Sequence, residues 1–394
     1  MRTETSAASP RGTWESAQRI RLVDHHVHGP LSGDVTREQL EMLLTESDRP
    51  IPEGTTVFDS QVGFAIRQHC APLLGLESGA SPEAYVARRS QSTADELAEL
   101  FLEGAGVSGW VVDTGFGTGS IWSAEQMRGH LSGSVHEIVR LEALLEQVAV
   151  DCEPEQLQES FEAAVARAAE KAAGWKSIIA YRFGFDFEPR RPSPDEVLAA
   201  ARRWLGELVE GEGLRVEDPV LLRWLLYVAC DTGLPIQLHC GYGDPDLDLR
   251  RCDPLLLTSW LRDIEGSGSR IMLLHCYPFH RNAGYLAQVF PHVYCDVGLS
   301  INYSGAASRQ IVAESMELTP FSKLLYSSDA WGPPELHYLG SLLWRRATAA
   351  VMDRWVDQGD WPEEEPERIL QMIGRDNACR VYGLDETREA QSRA

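Results

Sequence analysis

Short apolar runs alternate with longer amphipathic segments along most of this chain. Between the apolar runs, hydrophobic residues often recur with helical spacing, as they do over 195–208 and 219–229. Alternation of strands and helices indicates a parallel sheet, and eight repeats predict a (β/α)8 TIM barrel. The eight predicted strands cover residues 20–24, 107–113, 136–141, 175–181, 235–239, 271–275, 292–297 and 323–327.

The segment after the first predicted strand is too long to be a simple connection. A (β/α)8 barrel needs about 250 residues, whereas this chain has 394. Most of the surplus lies at 31–104, where helical patterns cover 36–44, 82–89 and 93–102. We therefore predict one barrel domain over 19–385, with 31–104 as a helical insertion over its mouth. Residues 1–18 and 386–394 are predicted to be flexible termini.

The composition is that of an ordinary globular protein, with 43% hydrophobic and 24% charged residues. Asp and Glu outnumber Lys and Arg by 59 to 36, which gives a formal net charge of −23. This charge repels nucleic acid and anionic membranes, so we expect neither as a partner and expect a small-molecule substrate instead. The composition is also compatible with a homo-oligomer.

Cysteine usage and the N-terminus indicate a reducing compartment. The eight cysteines are scattered without a C-x-x-C pair, so neither a disulfide framework nor a cysteine-rich zinc module is indicated. The N-terminal residues are polar where a secretory signal requires an apolar stretch, and no apolar run reaches the length of a membrane span. We therefore expect a cytoplasmic protein.

Several predicted strands end in residues that can bind a metal ion. His26 and His28 follow the first apolar run, while His239, His275 and Asp329 end the fifth, sixth and eighth runs. The C-terminal ends of barrel strands meet on one face, so these residues can converge. A single buried histidine is more often structural. The agreement of four strand ends, however, predicts a centre for zinc or a similar divalent ion.

The same strand ends resemble those of the amidohydrolase superfamily. The matching residues are 24–28, His239, His275 and Asp329, so the resemblance spans nearly the whole barrel. Shorter phrases within the superfamily point to one group. Residues 176–182, 274–278 and 377–383 resemble the amidohydrolase-related (amidohydrolase 2) group, which includes the barrel half of plant nodulin and glutamine synthetase fusion proteins.

This resemblance implies a mononuclear site that His26, His28, His239 and Asp329 form around Zn2+ or another divalent ion such as Mn2+, one per subunit. A bound divalent ion lowers the pKa of its water toward neutrality. Asp329 would accept a proton from that water and pass it to the leaving group. His275 would polarise the substrate carbonyl and stabilise the oxyanion. We therefore expect Asp329 and His275 to be catalytic.

Lys176 decides between one metal and two. Two-metal members of the superfamily use a carboxylated lysine from the fourth strand, and Lys176 is the second residue of the predicted fourth strand. A strand rises about 3.3 Å per residue, so this lysine should lie well below the mouth. We predict that it pairs with a carboxylate low in the barrel and that the site holds one metal.

Four residues are candidates for substrate binding: Arg182, Glu142, Tyr181 and Trp331. Arg182 could bind a substrate carboxylate through its guanidinium. A structural ion pair between Arg182 and a loop acid is an equally good interpretation. Glu142, predicted to end the third strand, would bind a substrate amine or remain a solvated carboxylate at a helix start. Tyr181 and Trp331, with Tyr242, are candidates for pocket walls, but lone aromatics more often serve packing.

Other motifs change the interpretation little. The glycine-rich segment 115–119 lacks a phosphate-binding pattern and is predicted to be a flexible active-site loop. No G-x-S-x-G elbow marks a serine hydrolase. Cys240 and Cys276 directly follow His239 and His275, so strand alternation should turn their side chains away from those histidines.

These observations favour a metal-dependent amidohydrolase. It would cleave a carbon–nitrogen bond of a small molecule with metal-activated water, and γ-glutamyl amides and N-acyl amino acids are the candidate substrates. The enzymatic alternative is a mononuclear metal-dependent decarboxylase that removes carbon dioxide from a small aromatic acid without oxidation. A catalytically silent scaffold is disfavoured, because buried imidazoles and carboxylates are costly when they bind nothing.

Overall fold

The computed structural model describes residues 12–117, 119–206 and 213–384. Its seven regular strands are β1 Leu22–Val27, β2 Val107–Asp113, β3 Ser134–Arg140, β4 Gly174–Ser177, β5 Ile236–Cys240, β6 Ile271–His275 and β7 Val293–Cys295. They form one parallel sheet in the order β1 to β7. Each strand therefore pairs with the next along the chain, which requires a crossover connection between every pair.

Helices precede, separate and follow the strands. They are α1 Thr13–Arg19, α2 Arg37–Met42, α3 Gln61–Ala65, α4 Pro82–Arg89, α5 Ala94–Gly104, α6 Ala124–His130, α7 Leu141–Ala149, α8 Leu157–Ala169, α9 Ile179–Arg182, α10 Pro194–Gly206, α11 Pro219–Asp231, α12 Thr258–Asp263, α13 His280–Val289, α14 Ser300–Ser304, α15 Ser308–Ser315, α16 Pro334–Asp357, α17 Glu365–Gln371 and α18 Asn377–Tyr382. The predicted helix over 195–208 corresponds to α10, and its last two residues lie outside the described part of the chain.

An irregular extended segment takes the place of the eighth strand. The Leu325 amide donates to the Cys295 carbonyl at 3.1 Å, and the His25 amide donates to the Tyr326 carbonyl at 3.2 Å, so the segment joins β7 to β1. The Tyr326 amide instead donates to Ile373, outside the sheet, which interrupts a regular ladder. The predicted (β/α)8 barrel is confirmed, but its eighth strand is not a regular one.

The fourth strand is shorter than predicted. It ends at Ser177, and residues 179–182 form helix α9. The Ser177 hydroxyl donates to Glu142 at 2.6 Å and accepts the Ile179 amide at 3.1 Å, which turns the chain out of the sheet. The predicted strand over 175–181 is therefore wrong beyond Ser177.

The lower part of the barrel interior is filled by apolar side chains. Strand residues such as Val23, Val111, Ile138 and Met272 form one buried cluster, and α18 adds side chains of its own, including Tyr382. A second, larger core lies between the strands and the surrounding helices. The barrel is thus closed below by its C-terminal helix, and the polar strand ends lie above this layer.

The segment 31–104 contributes helices α2 to α5, of which α3 was not predicted. Thr36 and Thr93 form capping boxes at the starts of α2 and α5. Capping boxes are a sequence signal of a helix start, so these two helices could be predicted. Arg89 of this segment forms a buried ion pair with Glu335 of α16, at 2.6 Å between Nε and Oε1. This pair fixes the insertion against the barrel.

The predicted flexible N-terminal segment 1–18 is wrong for residues 13–18, which belong to α1. Thr13, Ser16 and Ala17 are buried there, and the Arg345 guanidinium donates to the carbonyl of Ile20 at 2.7 Å. Residues 1–11 and the predicted C-terminal tail 386–394 lie outside the described residues. Among the described residues, no helix combines the length and the apolar character that a bilayer span requires.

Candidate metal centre

Three of the predicted ligands form a compact buried group at the C-terminal end of the barrel. The metal-binding atoms of His26, His28 and Asp329 all lie within 4.8 Å of one another. His26 Nε2 is 3.0 Å from Asp329 Oδ1, and His28 Nε2 is 3.7 Å from the same oxygen. The group lies at a cavity of about 860 Å³ that residues of the insertion also line.

A bulge in β1 lies at His25 and His26 and lets both side chains point inward. The pairing between β1 and β2 shifts by one residue between Asp24 and Val27. Val27 packs in the outer core, so His26 and His28 face the cavity as their spacing predicted. His25 also points inward, below them, where its Nε2 is 2.9 Å from Asp296 Oδ2. A bulge is the usual way to re-aim a strand-end side chain.

Hydrogen bonds fix which nitrogen of each histidine faces the group. Gln237 Nε2 donates to the His25 carbonyl at 2.7 Å, so its Oε1 accepts from His26 Nδ1 at 2.8 Å. His28 Nδ1 donates to the Asp113 carbonyl at 3.1 Å. Both Nε2 atoms therefore carry a lone pair toward Asp329, the arrangement that a metal ligand requires.

His239 and His275 lie beside this compact group. Their ring centroids are 4.8 Å apart, and His275 Nδ1 is 3.1 Å from Asp329 Oδ2. His239 Nε2 and His275 Nδ1 are both buried without a hydrogen-bond partner. Unpartnered buried imidazole nitrogens are costly, and a divalent ion would compensate that cost. The residues present therefore fit a metal ion, although His239 lies outside the compact group.

Burial controls the protonation of the centre. It lowers the pKa of His26, His239 and His275 well below the usual histidine value and that of His28 to about 4. Neutral imidazoles are the metal-binding form. Burial also raises the pKa of Asp329 well above its usual range, and the positive charge of Lys176 opposes that rise. The Asp329 carboxylate therefore needs a nearby positive charge to stay ionised.

The prediction that Lys176 lies low in the barrel is wrong. Its Nζ is 3.3 Å from His26 Nε2, and it lines the same cavity as the predicted metal ligands. The cause is the early end of β4, since only Ser177 follows Lys176 in that strand. Burial lowers the pKa of Lys176 to about 8.

Two residues of the centre have unusual backbone conformations. His275 has φ 62° and Asp329 has φ 47°, in the left-handed region that non-glycine residues seldom adopt. The Asp296 carboxylate holds the first of these by accepting the His275 amide at 2.8 Å. Strain of this kind persists where the surrounding structure enforces it, as it commonly does at functional sites.

Three of the four predicted substrate-binding residues line the cavity: Arg182, Tyr181 and Trp331. Arg182 Nη1 is 3.2 Å from Glu146 Oε1, while its Nε is buried without an acceptor. Tyr181 packs against the metal-side histidine His239 with ring centroids 4.4 Å apart. Whether these residues contact a substrate stays a prediction.

Glu142 does not lie where it was predicted. It occupies the first turn of α7 instead of the end of β3 and is fully buried. Its Oε1 accepts from the Ser177 hydroxyl and, at 3.0 Å, from the Ile178 amide. It does not line the cavity. The prediction that Glu142 binds a substrate amine is therefore replaced by a role in forming the turn after β4.

Aromatic residues of two loops close part of the cavity. Phe116, from the segment predicted to be an active-site loop, contacts the rings of His28 and Trp331, with centroids 5.6 and 5.3 Å away. Tyr242, by contrast, is not among the cavity-lining residues. Cys240 and Cys276 are buried in the outer core, away from the cavity.

Sequence reasoning missed Gln237, Arg140 and Glu46. Gln237 is the polar residue two positions before His239 on the same face of β5, a periodicity that could have identified it. Arg140 lines the cavity and forms an ion pair with Asp113 at 2.6 Å. Glu46 enters the cavity from the insertion, and nothing in its local pattern distinguishes it from a surface acid.

Comparisons with known proteins agree with this architecture. A family model described as amidohydrolase matches residues 139–384. Protein fluG of Emericella nidulans is 33% identical over 225 residues, which cover 54% of this chain but only 26% of that protein. The present chain therefore corresponds to about a quarter of that relative.

Solved structures show the same fold over nearly the whole chain. A protein from Lactobacillus casei ATCC 334, provisionally described as a metal-dependent hydrolase, superposes with a TM-score of 0.81 at 26% identity, covering 95% of this chain and 98% of its own. A uronate isomerase from Bacillus halodurans C-125 superposes with a TM-score of 0.63 at 15% identity, covering 96% and 97%. The second likeness concerns the fold alone.

Proposed function

The chain belongs to the amidohydrolase family and is a metal-dependent hydrolase, and from that premise we propose that it cleaves the carbon–nitrogen bond of a small amide. The proposed substrates are γ-glutamyl amides or N-acyl amino acids, which both carry a carboxylate. The observation that carries this proposal is the buried group of His26, His28 and Asp329 at the base of a cavity lined by Arg182.

The proposed ligands are His26, His28, His239 and Asp329, and the proposed ion is Zn2+, with Mn2+ as the alternative. Imidazole and carboxylate donors suit either ion. When bound, such an ion lowers the pKa of a coordinated water molecule toward neutrality and thereby supplies a nucleophile at pH 7. We propose one ion per chain, and the position of Lys176 beside His26 makes metal stoichiometry a direct test of that number.

Asp329 is proposed to move the protons of the reaction. Its Oδ1 is shared between His26 and His28, while its Oδ2 faces His275. A carboxylate in this position would accept the proton of the attacking water and return it to the nitrogen of the leaving amine, which breaks the carbon–nitrogen bond.

His275 is proposed to stabilise the oxygen of the scissile carbonyl. Burial keeps its imidazole neutral, so one ring nitrogen carries a hydrogen that it can donate. The hydrogen bond between its amide and Asp296 holds the residue rigidly, which is the condition for a preorganised oxyanion donor. Arg182 would hold the substrate carboxylate farther up the cavity.

The test is an activity screen of protein loaded with Zn2+ or Mn2+, with chelated protein as control. The substrates are γ-glutamyl anilides, N-acyl amino acids and small aromatic acids, assayed in water enriched in oxygen-18. We expect metal-dependent release of an amine with one labelled oxygen in the acid product. Release of carbon dioxide from an aromatic acid without incorporation of label would overturn the proposal in favour of decarboxylation.

A further inference from the structure

The charged residues that line the cavity differ in whether their charges are paired. Arg140 pairs with Asp113, and Arg215 pairs with Glu217 at 2.6 Å. Asp48, at the rim, pairs with its neighbour Arg49 at 3.0 Å. Arg182 pairs with Glu146 through Nη1 at 3.2 Å, but its Nε is buried without an acceptor. Glu46, which also lines the cavity, has a buried carboxylate oxygen without a hydrogen-bond donor.

Glu46 comes from the insertion, just after α2. Its Oε1 is buried without a hydrogen-bond donor, and no ion pair includes it within the part of the chain that the structure describes. Burial raises its pKa. Glu41, five residues earlier, is a structural acid of the same insertion whose carboxylate oxygens are hydrogen-bonded. It accepts from Arg37 at 2.8 Å, from Thr56 at 2.6 Å and from the Val57 amide at 2.8 Å.

The neighbours of Glu46 include two tyrosine hydroxyls, and that of Tyr303 faces the Glu46 carboxylate and can donate to it. Tyr303 lies beside its carboxylate, and Tyr242 is close enough for the negative charge of Glu46 to raise its pKa. The hydroxyl of Tyr242 is buried without a hydrogen-bond partner. Glu46 and Asp329 line the same cavity. One hydroxyl donor does not saturate a carboxylate, so Glu46 keeps acceptor positions for N–H donors.

We propose that Glu46, oriented by Tyr303, binds a primary ammonium group of the substrate. An ammonium carries three donors and a positive charge, which are what the Glu46 environment lacks. This inference rests on the proposed amide hydrolysis in the same cavity and narrows its substrate class. A γ-glutamyl amide has a free ammonium and a free carboxylate, for Glu46 and Arg182 respectively. An N-acyl amino acid has only the carboxylate.

The test compares two ligands that differ in one ammonium group, L-glutamate and glutarate. Their binding to the metal-loaded protein is measured by calorimetry, so the result does not depend on turnover. We expect L-glutamate to bind at least about tenfold more tightly than glutarate, because a charge-assisted hydrogen bond to a desolvated carboxylate is strong. Glu46→Gln should abolish this preference and leave glutarate binding within about twofold of wild type.

Glu53→Gln is the matched control, since Glu53 is an exposed acid of the same insertion. It should keep the preference for L-glutamate. Equal binding of both ligands by wild type, no measurable binding of either, or an unchanged preference in Glu46→Gln would overturn the inference. Kinetics separate this outcome from failure of the proposed function. Cleavage of glutaryl anilide and γ-glutamyl anilide at equal rates would refute the inference alone, whereas Glu46-dependent binding without cleavage of any amide would refute the hydrolysis alone.

Discussion

The two ends of the barrel interior are built from the same strands but differ in chemistry. The lower end is apolar and fully packed, with Met272 and Val111 against Tyr382 of the C-terminal helix. The upper end places His239, His275 and Asp329 together with buried nitrogens that have no partner. At the lower end each side chain is stabilised by its neighbours, whereas the upper end is stabilised fully only when something binds there.

This difference assigns separate roles to neighbouring residues of one strand. Met272 and His275 are three residues apart on β6, yet the first belongs to the packed layer and the second to the metal centre. Substitutions at the upper end should therefore change activity more than stability. Substitutions at the lower end should do the reverse. The following predictions test this division, from the largest expected effect to the smallest.

Asp329→Asn should have the largest effect on activity. The amide cannot accept the proton of the attacking water, so we expect kcat/KM for the cleaved amide to fall by about 10²–10⁴-fold. Thermal stability should be unchanged or higher, because the variant removes a carboxylate whose burial is unfavourable. Calorimetric melting and steady-state kinetics check both statements. A strongly destabilised variant with normal activity in its folded fraction would contradict the division.

Met272→Ala should show the opposite behaviour. Met272 is fully buried in the lower layer, so its truncation leaves a cavity and should cost about 2–5 kcal/mol of unfolding free energy. The measurement is urea denaturation, followed by kinetics at a temperature where the variant stays folded. We expect kcat/KM within about twofold of wild type. Loss of activity without loss of stability would mean that the lower layer controls the site directly.

Gln237→Leu lies at the boundary between the two ends. Gln237 accepts a hydrogen bond from His26 Nδ1 and thereby orients that imidazole. Its Nε2 also donates to the hydroxyl of Tyr382, which lies below, at 2.9 Å. We expect metal affinity to fall by about 10–100-fold, as for other groups that orient a metal ligand. Chelator competition measures the affinity. Gln310→Leu, on the exposed surface of α15, is the control and should leave it unchanged.

Phe116→Ala should have the smallest effect. Its ring contacts His28 and Trp331 but is 42% exposed, so it contributes to the cavity wall more than to the centre. Loss of aromatic contacts of this kind corresponds to a rise in KM of about 2- to 10-fold with kcat little changed. Leu318→Ala, an exposed residue elsewhere, should change neither constant. A fall in kcat larger than the rise in KM would assign Phe116 a part in the chemistry.

The sequence predicted the centre better than the walls of the cavity for a physical reason. His26, His28, His275 and Asp329 lie at ends of apolar runs, and barrel topology makes such ends converge whatever the loops do. Lys176 was placed too low because β4 ends one residue after it, at a turn made by Ser177 and Glu142. A contact 35 residues away in sequence determines that turn, and hydrophobic periodicity carries no such information.

The eighth strand and the insertion show the same limit. The extended segment before Asp329 could be predicted as an apolar run, but its hydrogen bond to Ile373 depends on tertiary packing. Glu41 and Glu46 lie five residues apart in similar sequence surroundings, and only the fold distinguishes the acid with three donors from the acid with a buried oxygen that has none.

The most direct test of the account is the metal content of the protein. Elemental analysis of wild type and of a His26→Asn, His28→Asn double variant, each supplied with Zn2+ or Mn2+ and dialysed, should find about one divalent ion per wild-type chain and almost none per variant chain. Circular dichroism should show that both are folded, since the lower layer is intact. Folded wild-type protein that takes up neither ion, or a variant that binds as much metal as wild type, would contradict the assignment of the centre.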